Sequence, residues 1–421
     1  MIHPLRAHAR VLSAALVGTT VEFYDFYVFA TATALVFGPL FFPKASPAAQ
    51  SISAFMVFGI AFFARPIGAI AFGHFGDRLG RKSTLVASLL LMGICTFAVA
   101  LLPGYATAGW IAPALLCALR FGQGFGLGGE WGGAALLAVE YAPEGWRGRF
   151  GAAPQLGAPI GFLAANGLFL LLGLGLTPAE FAAWGWRIPF LLSSVLVGLG
   201  LWVRLRIAET PAFRAAVAHH DVAGVPVARL FGRHLAAIVA GIAGVVACFA
   251  LFYMATAFAL AQGTGALGYP RQAFLGVQLG ANLFFAVGIV VAAVLADRWS
   301  PGRVLTIGAV GCAAVGLVFG AGLASGSLGV VFAMLAAALF VMGLVYGPLG
   351  AWLPSLFPVA VRYSGISVAF NVGGIIGGAV TPVLAKMLAD AGHLDWVGGL
   401  LAVAGVVTVV GVAAAGRFAG E

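Results

Sequence analysis

Two carboxylates stand three residues apart in the first long apolar stretch of the chain, Glu22 and Asp25. Residues three apart are neighbours on a helix surface, so the two carboxyls are close enough to titrate as a coupled pair. We expect such a pair to bind and release a proton, and the alternative is an ion pair that only fixes helix packing. Glu130, in a later apolar stretch, is a third candidate, as a second proton site, a gate or a structural group.

Two arginines also lie inside apolar stretches, where a charge is costly and usually functional. The planar guanidinium of Arg120 suits a substrate carboxylate. Arg65 precedes Pro66, which frees a backbone carbonyl that the arginine could satisfy, so a structural and a substrate role both stay open for it. We hypothesise that Asp25 or Glu22 neutralises Arg120 in the empty site, and that protonation of the acid frees Arg120 for an anion. A purely structural Arg120 is the alternative.

The second half of the chain has no acid inside an apolar stretch, so its contribution to a site must come from neutral groups. Amide and hydroxyl side chains can hydrogen-bond a substrate, although each can equally join two helices. The candidates of the second half are Tyr253, Gln278, Asn282, Tyr346 and Asn371, and Gln155 and Asn166 of the first half bring the number to seven. We expect two or three of the seven to touch the substrate. Tyr24, beside Asp25, is an eighth candidate.

The composition identifies the medium around these residues. Of the 421 residues, 22 are Lys or Arg, 13 are Asp or Glu, and 62% are hydrophobic. A soluble domain needs about a quarter charged residues, which excludes a soluble globular protein. The net charge of +9 does not indicate nucleic acid binding, because a basic patch needs a folded polar surface. The surrounding medium must be a lipid bilayer.

Twelve apolar runs are each long enough to cross a bilayer, which takes about 20 residues in a helix. The four cysteines lie inside these runs, so they predict neither a disulfide framework nor a metal site. We predict an all-α membrane protein with twelve transmembrane helices, near residues 11–37, 52–72, 84–102, 110–137, 150–172, 187–206, 234–262, 271–296, 303–324, 328–351, 363–388 and 396–416.

The longest polar stretch follows the sixth run and divides the chain. It spans residues 207–233 and is the predicted linker between a six-helix bundle at 1–206 and a second at 234–421. Most basic residues outside the runs lie on the side that holds both termini and this linker. The positive-inside rule therefore predicts that the termini and the linker are cytoplasmic.

Two short patterns recur in the second half at similar offsets, which indicates a duplicated six-helix unit. Asp77-Arg78 recurs as Asp297-Arg298, and the spacing of Pro143 to Arg147 recurs as Pro358 to Arg362. The repeat is imperfect, because Ser355 stands at the position equivalent to Glu140 and the second half lacks that acid.

The segment Gly73-x-x-x-Asp77-Arg78-x-Gly80-Arg81-Lys82 resembles the loop motif of the major facilitator superfamily. Within that superfamily the chain resembles the metabolite:proton symporter family, which takes up organic acids and zwitterions. The segments that carry this resemblance are Gly18–Phe26, Arg65–Lys82, Arg120–Ala134, Gly185–Phe190 and Glu209–Phe213. The long C-terminal coiled coil of the family's osmosensing branch does not follow the last run, which disfavours an osmoregulated carrier.

The resemblance implies a major facilitator fold, two pseudo-symmetric bundles that rock about a midplane site, and a breakable cytoplasmic gate. Solvated loop charge is the alternative interpretation of the gate residues. The residues that we assign to the gate are Gly73, Asp77, Arg78, Gly80, Arg81, Lys82, Glu140, Arg147, Asp297, Arg298 and Arg362.

The sequence therefore predicts a secondary transporter that couples proton entry to uptake of a small organic acid anion, of mono- or dicarboxylate type. A zwitterion or osmolyte importer and an exporter or antiporter of the same fold are the alternatives. A membrane enzyme would need clustered acids or histidines at a membrane face, and the sequence has none. We expect no cofactor and no metal, and we expect a monomer in the inner or plasma membrane.

Overall fold

The computed structural model describes residues 5, 8–79, 81–205, 226–358 and 361–416, without the side chains of 73–79, 81–83, 85, 203–204 and 226–229. Within these ranges the chain is helical and has no strand. The twelve long helices are α1 Ala9–Phe41, α2 Pro47–Leu79, α3 Arg81–Ala100, α4 Ile111–Glu140, α5 Arg147–Gly175, α6 Ile188–Leu205, α7 Leu235–Thr264, α8 Arg271–Arg298, α9 Pro301–Leu323, α10 Leu328–Leu356, α11 Arg362–Asp390 and α12 Leu394–Ala415.

The predicted all-α fold with two six-helix bundles is confirmed. Eleven helices of the described chain are long and apolar enough to cross a membrane, and the apolar part of α3, Val86–Ala100, is shorter. Many side chains on their outer faces are large and apolar, such as Leu317, which is 83% exposed, as expected for a surface covered by lipid. Short helices at Tyr105–Ala108, Pro178–Ala183 and Pro226–Arg233 lie between the long ones. The proposed linker bounds, 207–233, fall mostly outside the described residues.

Three of the long helices contain a π-helical turn, at Thr33–Phe37 in α1, Met254–Phe258 in α7 and Ile375–Val380 in α11. A π turn widens the helix and often marks a functional position. The first two turns occupy corresponding places in the two halves of the duplicated fold. All three helices border the interface between the bundles, so the irregular backbone belongs to helices that face the opposite bundle.

The two bundles touch on the side of the molecule that holds both chain ends, which we call the terminal side. Leu12 and Phe150 pack together there, and Ala415 lines the same surface pocket as Arg147. The carboxylate of Asp297 in α8 accepts hydrogen bonds from the backbone N–H groups of Gly148 and Arg149 in α5, at 2.6 and 3.3 Å. These bonds close the terminal side.

The bundles also touch on the opposite side. Gln272 at the start of α8 donates to the carbonyl of Gly173 in α5 (3.2 Å), and the guanidinium of Arg271 lies 4.0 Å from the ring centroid of Phe181. Deeper in the interface, Asn282 donates to the carbonyl of Pro159 (2.9 Å). Contacts therefore join the two bundles on both sides of the centre.

Candidate functional site

A small cavity of about 30 Å³ lies between the two bundles at the centre of the molecule. That volume accommodates only a water molecule or two, so a larger ligand requires the walls to move apart. Two of its lining residues, Glu22 and Arg65, are charged. The full lining is Glu22, Phe23, Tyr27, Arg65, Ala158, Cys248, Phe249, Phe252, Tyr253, Phe285, Met342, Tyr346 and Phe370.

Arg65 is the cation of this cavity. It is 6% exposed, and its guanidinium carbon lies 4.6 Å from the ring centroid of Phe26 and 4.8 Å from that of Phe62. The rings occupy the face of the guanidinium, where a cation is attracted to the π electrons. The Nε atom has no hydrogen-bond partner in the described part of the chain. This N–H group is therefore available to an incoming acceptor.

Arg120, which the sequence favours as the substrate cation, lies behind the cavity wall and does not line the cavity. It is fully buried, and its guanidinium carbon is 4.0 Å from the Phe29 centroid and 4.6 Å from that of Phe26. Its Nε donates to the carbonyl of Phe58 (3.3 Å) and its Nη1 to the side-chain oxygen of Gln123 (3.1 Å). Arg120 and the cavity residue Arg65 contact the same ring, that of Phe26, but helix depth alone does not fix the direction of a side chain.

Asp25 and Arg120 form no direct ion pair within the described residues, which differs from the hypothesis of mutual neutralisation. The Asp25 carboxylate instead accepts from the hydroxyls of Ser193 in α6 and Thr96 in α3, the latter at 3.2 Å. Thr96 accepts from the amide of Gln123 (2.8 Å), and Gln123 accepts from Arg120. A chain of hydrogen bonds through two neutral side chains therefore joins the acid to the arginine.

Glu22 and Asp25 face different surroundings. Positions three apart on a helix are about 60° apart around its axis. Glu22 lines the central cavity, whereas Asp25 points into the N-terminal bundle toward α3 and α6. Glu130 is fully buried and accepts from the Ser88 hydroxyl at 2.8 Å, so it joins α4 to α3 and is not a lining residue of the cavity.

Two of the seven neutral candidates, Tyr253 and Tyr346, line the cavity. Gln155 donates to the carbonyl of Tyr346 (3.3 Å) and so joins the two bundles. The remaining neutral candidates bond helices at other levels: Tyr24 with Pro189, Asn166 with Thr31, Gln278 with Ala255 and Thr256, Asn282 with Pro159, and Asn371 with Gly128 and Ser367. The neighbouring helices thus determine which partner an amide in an apolar helix binds, and the sequence does not identify those neighbours.

A break in α4 forms part of the closure on the terminal side. The helix is interrupted at Gly128 and Gly129, between segments Ile111–Leu127 and Glu130–Glu140. The carbonyl of Gly128 accepts from the amide of Asn371 (2.9 Å), and that of Gly129 accepts from the hydroxyl of Tyr363. The broken helix of one bundle is therefore satisfied by donors from α11 of the other.

The donors of α11 and the glycines of α4 form a close seam between the bundles. Tyr363, Ser367 and Asn371 recur every four residues, which places them on one face of the helix. A methyl group on Gly132 would lie 2.8 Å from the Ser367 hydroxyl oxygen, which is shorter than a van der Waals contact between these atoms. Small residues at this seam therefore permit the approach of the two helices.

Trp131 links this seam to the cavity. Its ring stacks on Phe370 with 3.7 Å between centroids and 2° between planes. Its indole N–H donates to the side-chain oxygen of Gln155 (3.1 Å) and to the hydroxyl of Tyr346 (3.3 Å). Because Phe370 and Tyr346 line the cavity, the indole of Trp131 lies directly behind the cavity wall on the terminal side.

The predicted ionic gate is only partly within the described chain. Gly80 lies outside the described residues, as do the side chains of Asp77, Arg78, Arg81 and Lys82 and the surroundings of Gly73. The remaining gate residues lie on the terminal side. Asp297 binds α5 as described, and its carboxylate lies 3.6 Å from the Arg149 guanidinium. Arg362 donates to the carbonyl of Phe357 (3.0 Å). Arg147 and Arg298 are exposed, and Glu140 is half-buried.

Sequence reasoning missed the aromatic wall and one buried cation. Phe249, Phe252 and Tyr253 recur at intervals of three and four in α7, a pattern that places aromatic rings on one helix face and was available to find them. Lys386, near the end of the predicted span 363–388, is 7% exposed and forms an ion pair with Asp390 in α11. It lies outside the central cavity.

Comparison with known proteins agrees with this architecture. The family described as "Sugar (and other) transporter" matches residues 11–230. "Inner membrane metabolite transport protein YhjE" of Escherichia coli (strain K12) is 46% identical over 412 residues, covering 97% of this chain and 94% of that protein. "Shikimate transporter" of the same organism is 38% identical over 383 residues, covering 90% and 87%. A structure of the proton:xylose symporter XylE bound to 6-bromo-6-deoxy-D-glucose aligns with a TM-score of 0.77 over 100% of this chain and 97% of that one, at 16% identity, which is a likeness of fold.

Proposed function

The chain belongs to the metabolite:proton symporter family of the major facilitator superfamily, and from this premise we propose that it couples proton entry to the uptake of a small organic acid anion. It is a multi-pass membrane transporter and not an enzyme. The substrate class, the proton coupling and the direction of transport are the proposed parts. The terminal side is proposed to face the cytoplasm, with residues 207–233 as the linker between bundles 1–206 and 234–421.

One observation carries the proposal: the central cavity contains one acid and one guanidinium, Glu22 and Arg65, in otherwise uncharged and mostly aromatic surroundings. A guanidinium keeps its charge and binds a carboxylate through two N–H groups. With Glu22 ionised, the charge of Arg65 is compensated within the empty cavity. When Glu22 binds a proton, Arg65 is free to pair with an anionic substrate, so proton and anion enter together.

Alternating access follows from the two closures. The terminal side is held by the Asp297 bonds and by the α4 and α11 seam, and the opposite side by contacts such as that of Arg271 with Phe181. Opening either side while the other stays closed exposes the cavity to one face of the membrane. In this proposal Arg120, Gln123, Thr96 and Asp25 hold the N-terminal bundle rigid behind the site.

Uptake by reconstituted protein tests the proposal. The full chain in proteoliposomes, with an alkaline interior and an acidic exterior, should accumulate at least one acid from a panel of labelled organic acids. Protein-free liposomes control for passive entry of the protonated acids. Dissipating the pH gradient with a protonophore should abolish accumulation. Uptake that is equal with and without the gradient for every acid would contradict proton symport.

A zwitterion importer is the second candidate, because the cavity holds charges of both signs. In that case Glu22 binds the ammonium group and Arg65 the carboxylate. The two candidates differ in the effect of a proton gradient on a zwitterion such as a betaine. A betaine that accumulates and displaces organic acids from the protein would favour the second candidate, and exclusive uptake of acids would favour the first. Net export under the same gradient would instead indicate an antiporter.

A further inference from the structure

The two halves of the protein contribute different chemistry to the central cavity. Both charged groups, Glu22 and Arg65, come from the N-terminal bundle, whereas six of the eight aromatic rings come from the C-terminal bundle. Those six rings are Phe249, Phe252, Tyr253, Phe285, Tyr346 and Phe370. A ligand held here therefore meets charge on one side and aromatic surface on the other.

The C-terminal rings form a continuous wall. Ring centroids are 5.8 Å apart for Phe252 and Phe285, 5.9 Å for Phe285 and Tyr346, and 5.2 Å for Phe252 and Tyr253. These spacings lie within the range of favourable aromatic contacts, about 4.5 to 7 Å. The wall offers two hydroxyls, and that of Tyr346 already accepts the Trp131 indole N–H. A polyhydroxylated ligand would leave hydroxyl groups unpaired against this wall, which is costly.

The charged side accommodates one carboxylate. Arg65 lines the cavity and its Nε has no hydrogen-bond partner in the described part of the chain, whereas Arg120 lies outside the lining. A second carboxylate on the ligand would be buried beside aromatic rings or beside Glu22 without a cation of its own. Burial of an unpaired charge is strongly unfavourable.

We propose, on the basis of the function proposed above, that the substrate is a monocarboxylate whose body is a compact ring with apolar faces. The carboxylate binds the edge of Arg65, and the ring packs against the wall of Phe252, Phe285 and Tyr346. A rigid ring loses less conformational freedom on binding than an open chain of equal size. The bundles must separate to admit it, and they close again around it.

Protection of Cys248 measures binding without relying on transport. Cys248 lines the cavity, while the other three cysteines, Cys95, Cys117 and Cys312, do not. Replacing those three by alanine leaves a single thiol that a maleimide reaches only through an open cavity. In nanodiscs, a ligand that occupies the cavity should slow this labelling. A ligand-dependent rise in melting temperature is the second readout.

Four probes separate the features of the proposal. Cyclohexanecarboxylate and heptanoate have equal numbers of carbon atoms and equal charge, so they compare a ring with an open chain. Benzoate and phthalate compare one carboxylate with two. We expect the half-protecting concentration of the ring monocarboxylates to be roughly tenfold lower than that of heptanoate or phthalate. Equal protection by cyclohexanecarboxylate and heptanoate, or tighter binding of phthalate, would overturn the proposal.

A pair of matched variants tests whether the aromatic wall causes the preference for a ring over an open chain. Phe285→Leu should reduce the preference for cyclohexanecarboxylate over heptanoate severalfold. Phe284→Leu, at the adjacent position, which is 42% exposed on the outer face, should leave it unchanged. An unchanged preference in Phe285→Leu would count against the ring contact.

The outcomes also distinguish this inference from the proposed function. Proton-driven accumulation of open-chain acids without a ring preference leaves the symporter intact and overturns the inference. Ring-selective protection of Cys248 without accumulation of any acid supports the inference about the ligand and contradicts proton-coupled uptake. The two results come from different measurements on the same protein.

Discussion

The two bundles of this transporter are alike in backbone and different in chemistry. Both carry a π turn at the same place in their first helix, at Thr33–Phe37 and at Met254–Phe258. The N-terminal bundle supplies Glu22 and Arg65 to the cavity, while the C-terminal bundle supplies six aromatic rings. The two halves have therefore kept the same π turn in their first helix, while the charged side chains and most of the aromatic rings of the cavity come from different halves.

This division has an electrostatic reason. A charge inside a membrane is expensive unless it has a partner or a cation–π contact. Grouping the charges in one bundle lets them share rings and hydrogen bonds, as Arg65 and Arg120 share the ring of Phe26. The aromatic wall that lines the same cavity lowers the local dielectric, which would strengthen the proposed attraction of Arg65 for an anion.

The largest loss of substrate affinity is expected on removal of Arg65, the cation that the N-terminal bundle contributes to the cavity. Arg65→Gln loses a charge-assisted hydrogen-bond pair worth about 3 kcal/mol, so we expect a roughly 100-fold loss of affinity for an organic acid. Arg10→Gln, at an exposed position near the chain start, is the control with the same charge change. Affinity is measured by Cys248 protection. A loss below about threefold would place anion recognition elsewhere.

The next largest effect is expected when the two acids of α1, Glu22 and Asp25, are replaced one at a time. Glu22→Gln should abolish accumulation driven by a pH gradient while exchange of substrate between the two faces continues, because the cavity no longer binds a coupling proton. Asp25→Asn changes an acid that lies outside the cavity, bonded to Ser193 and Thr96, and should slow uptake while keeping it gradient-dependent. Accumulation and counterflow are measured side by side in proteoliposomes. The reverse pattern would assign the coupling proton to Asp25.

A methyl group at the terminal-side contact should shift the balance between the two open forms. A methyl group on Gly350 in α10 would overlap the backbone of Gly151 in α5, so Gly350→Ala should disfavour closure of that side. We expect severalfold faster maleimide labelling of Cys248 and slower uptake. Gly399→Ala, where a methyl group meets open space, is the control. Equal labelling rates in the two variants would indicate that this side opens elsewhere.

The smallest effect is expected from one hydrogen bond of the seam. Tyr363→Phe removes the hydroxyl that donates to the Gly129 carbonyl of α4. A single hydrogen bond contributes about 1 kcal/mol, which corresponds to roughly a fivefold change in the equilibrium between closed and open forms. The labelling rate of Cys248 should rise by that factor or less. A slower rate than in the unchanged protein would show that this bond favours the open form.

The sequence predicted the elements well and the site only in part. The twelve apolar runs correspond to the twelve helices, because membrane span length follows directly from apolar runs. Glu22 and Arg65 were among the predicted residues, and both line the cavity. Arg120, which the sequence favoured as the substrate cation, does not line the cavity. Helix depth gives a level along the helix and leaves open whether a side chain faces the cavity or its own bundle.

The aromatic wall shows a different limit of sequence reasoning. Phe residues are abundant in this chain, with 34 in total, so no single one indicates a site. Phe252 and Phe285 become candidate ligand contacts only because α7 and α8 bring them into the cavity that Arg65 also lines. That placement depends on how the bundles pack. The partners of Asp25 are equally hidden, since Thr96 and Ser193 come from helices far apart in the chain.

The contact between Gly151 and Gly350 has a mechanical consequence. At this contact on the terminal side, two backbones meet without side chains between them. Van der Waals attraction between such surfaces is short-ranged, and a gap of about 0.5–1 Å already forfeits a quarter to a half of it. This contact therefore resists the first ångström of separation more strongly than any later movement, and beyond that distance the longer-ranged hydrogen bonds of Asp297 and of the seam carry most of the remaining hold.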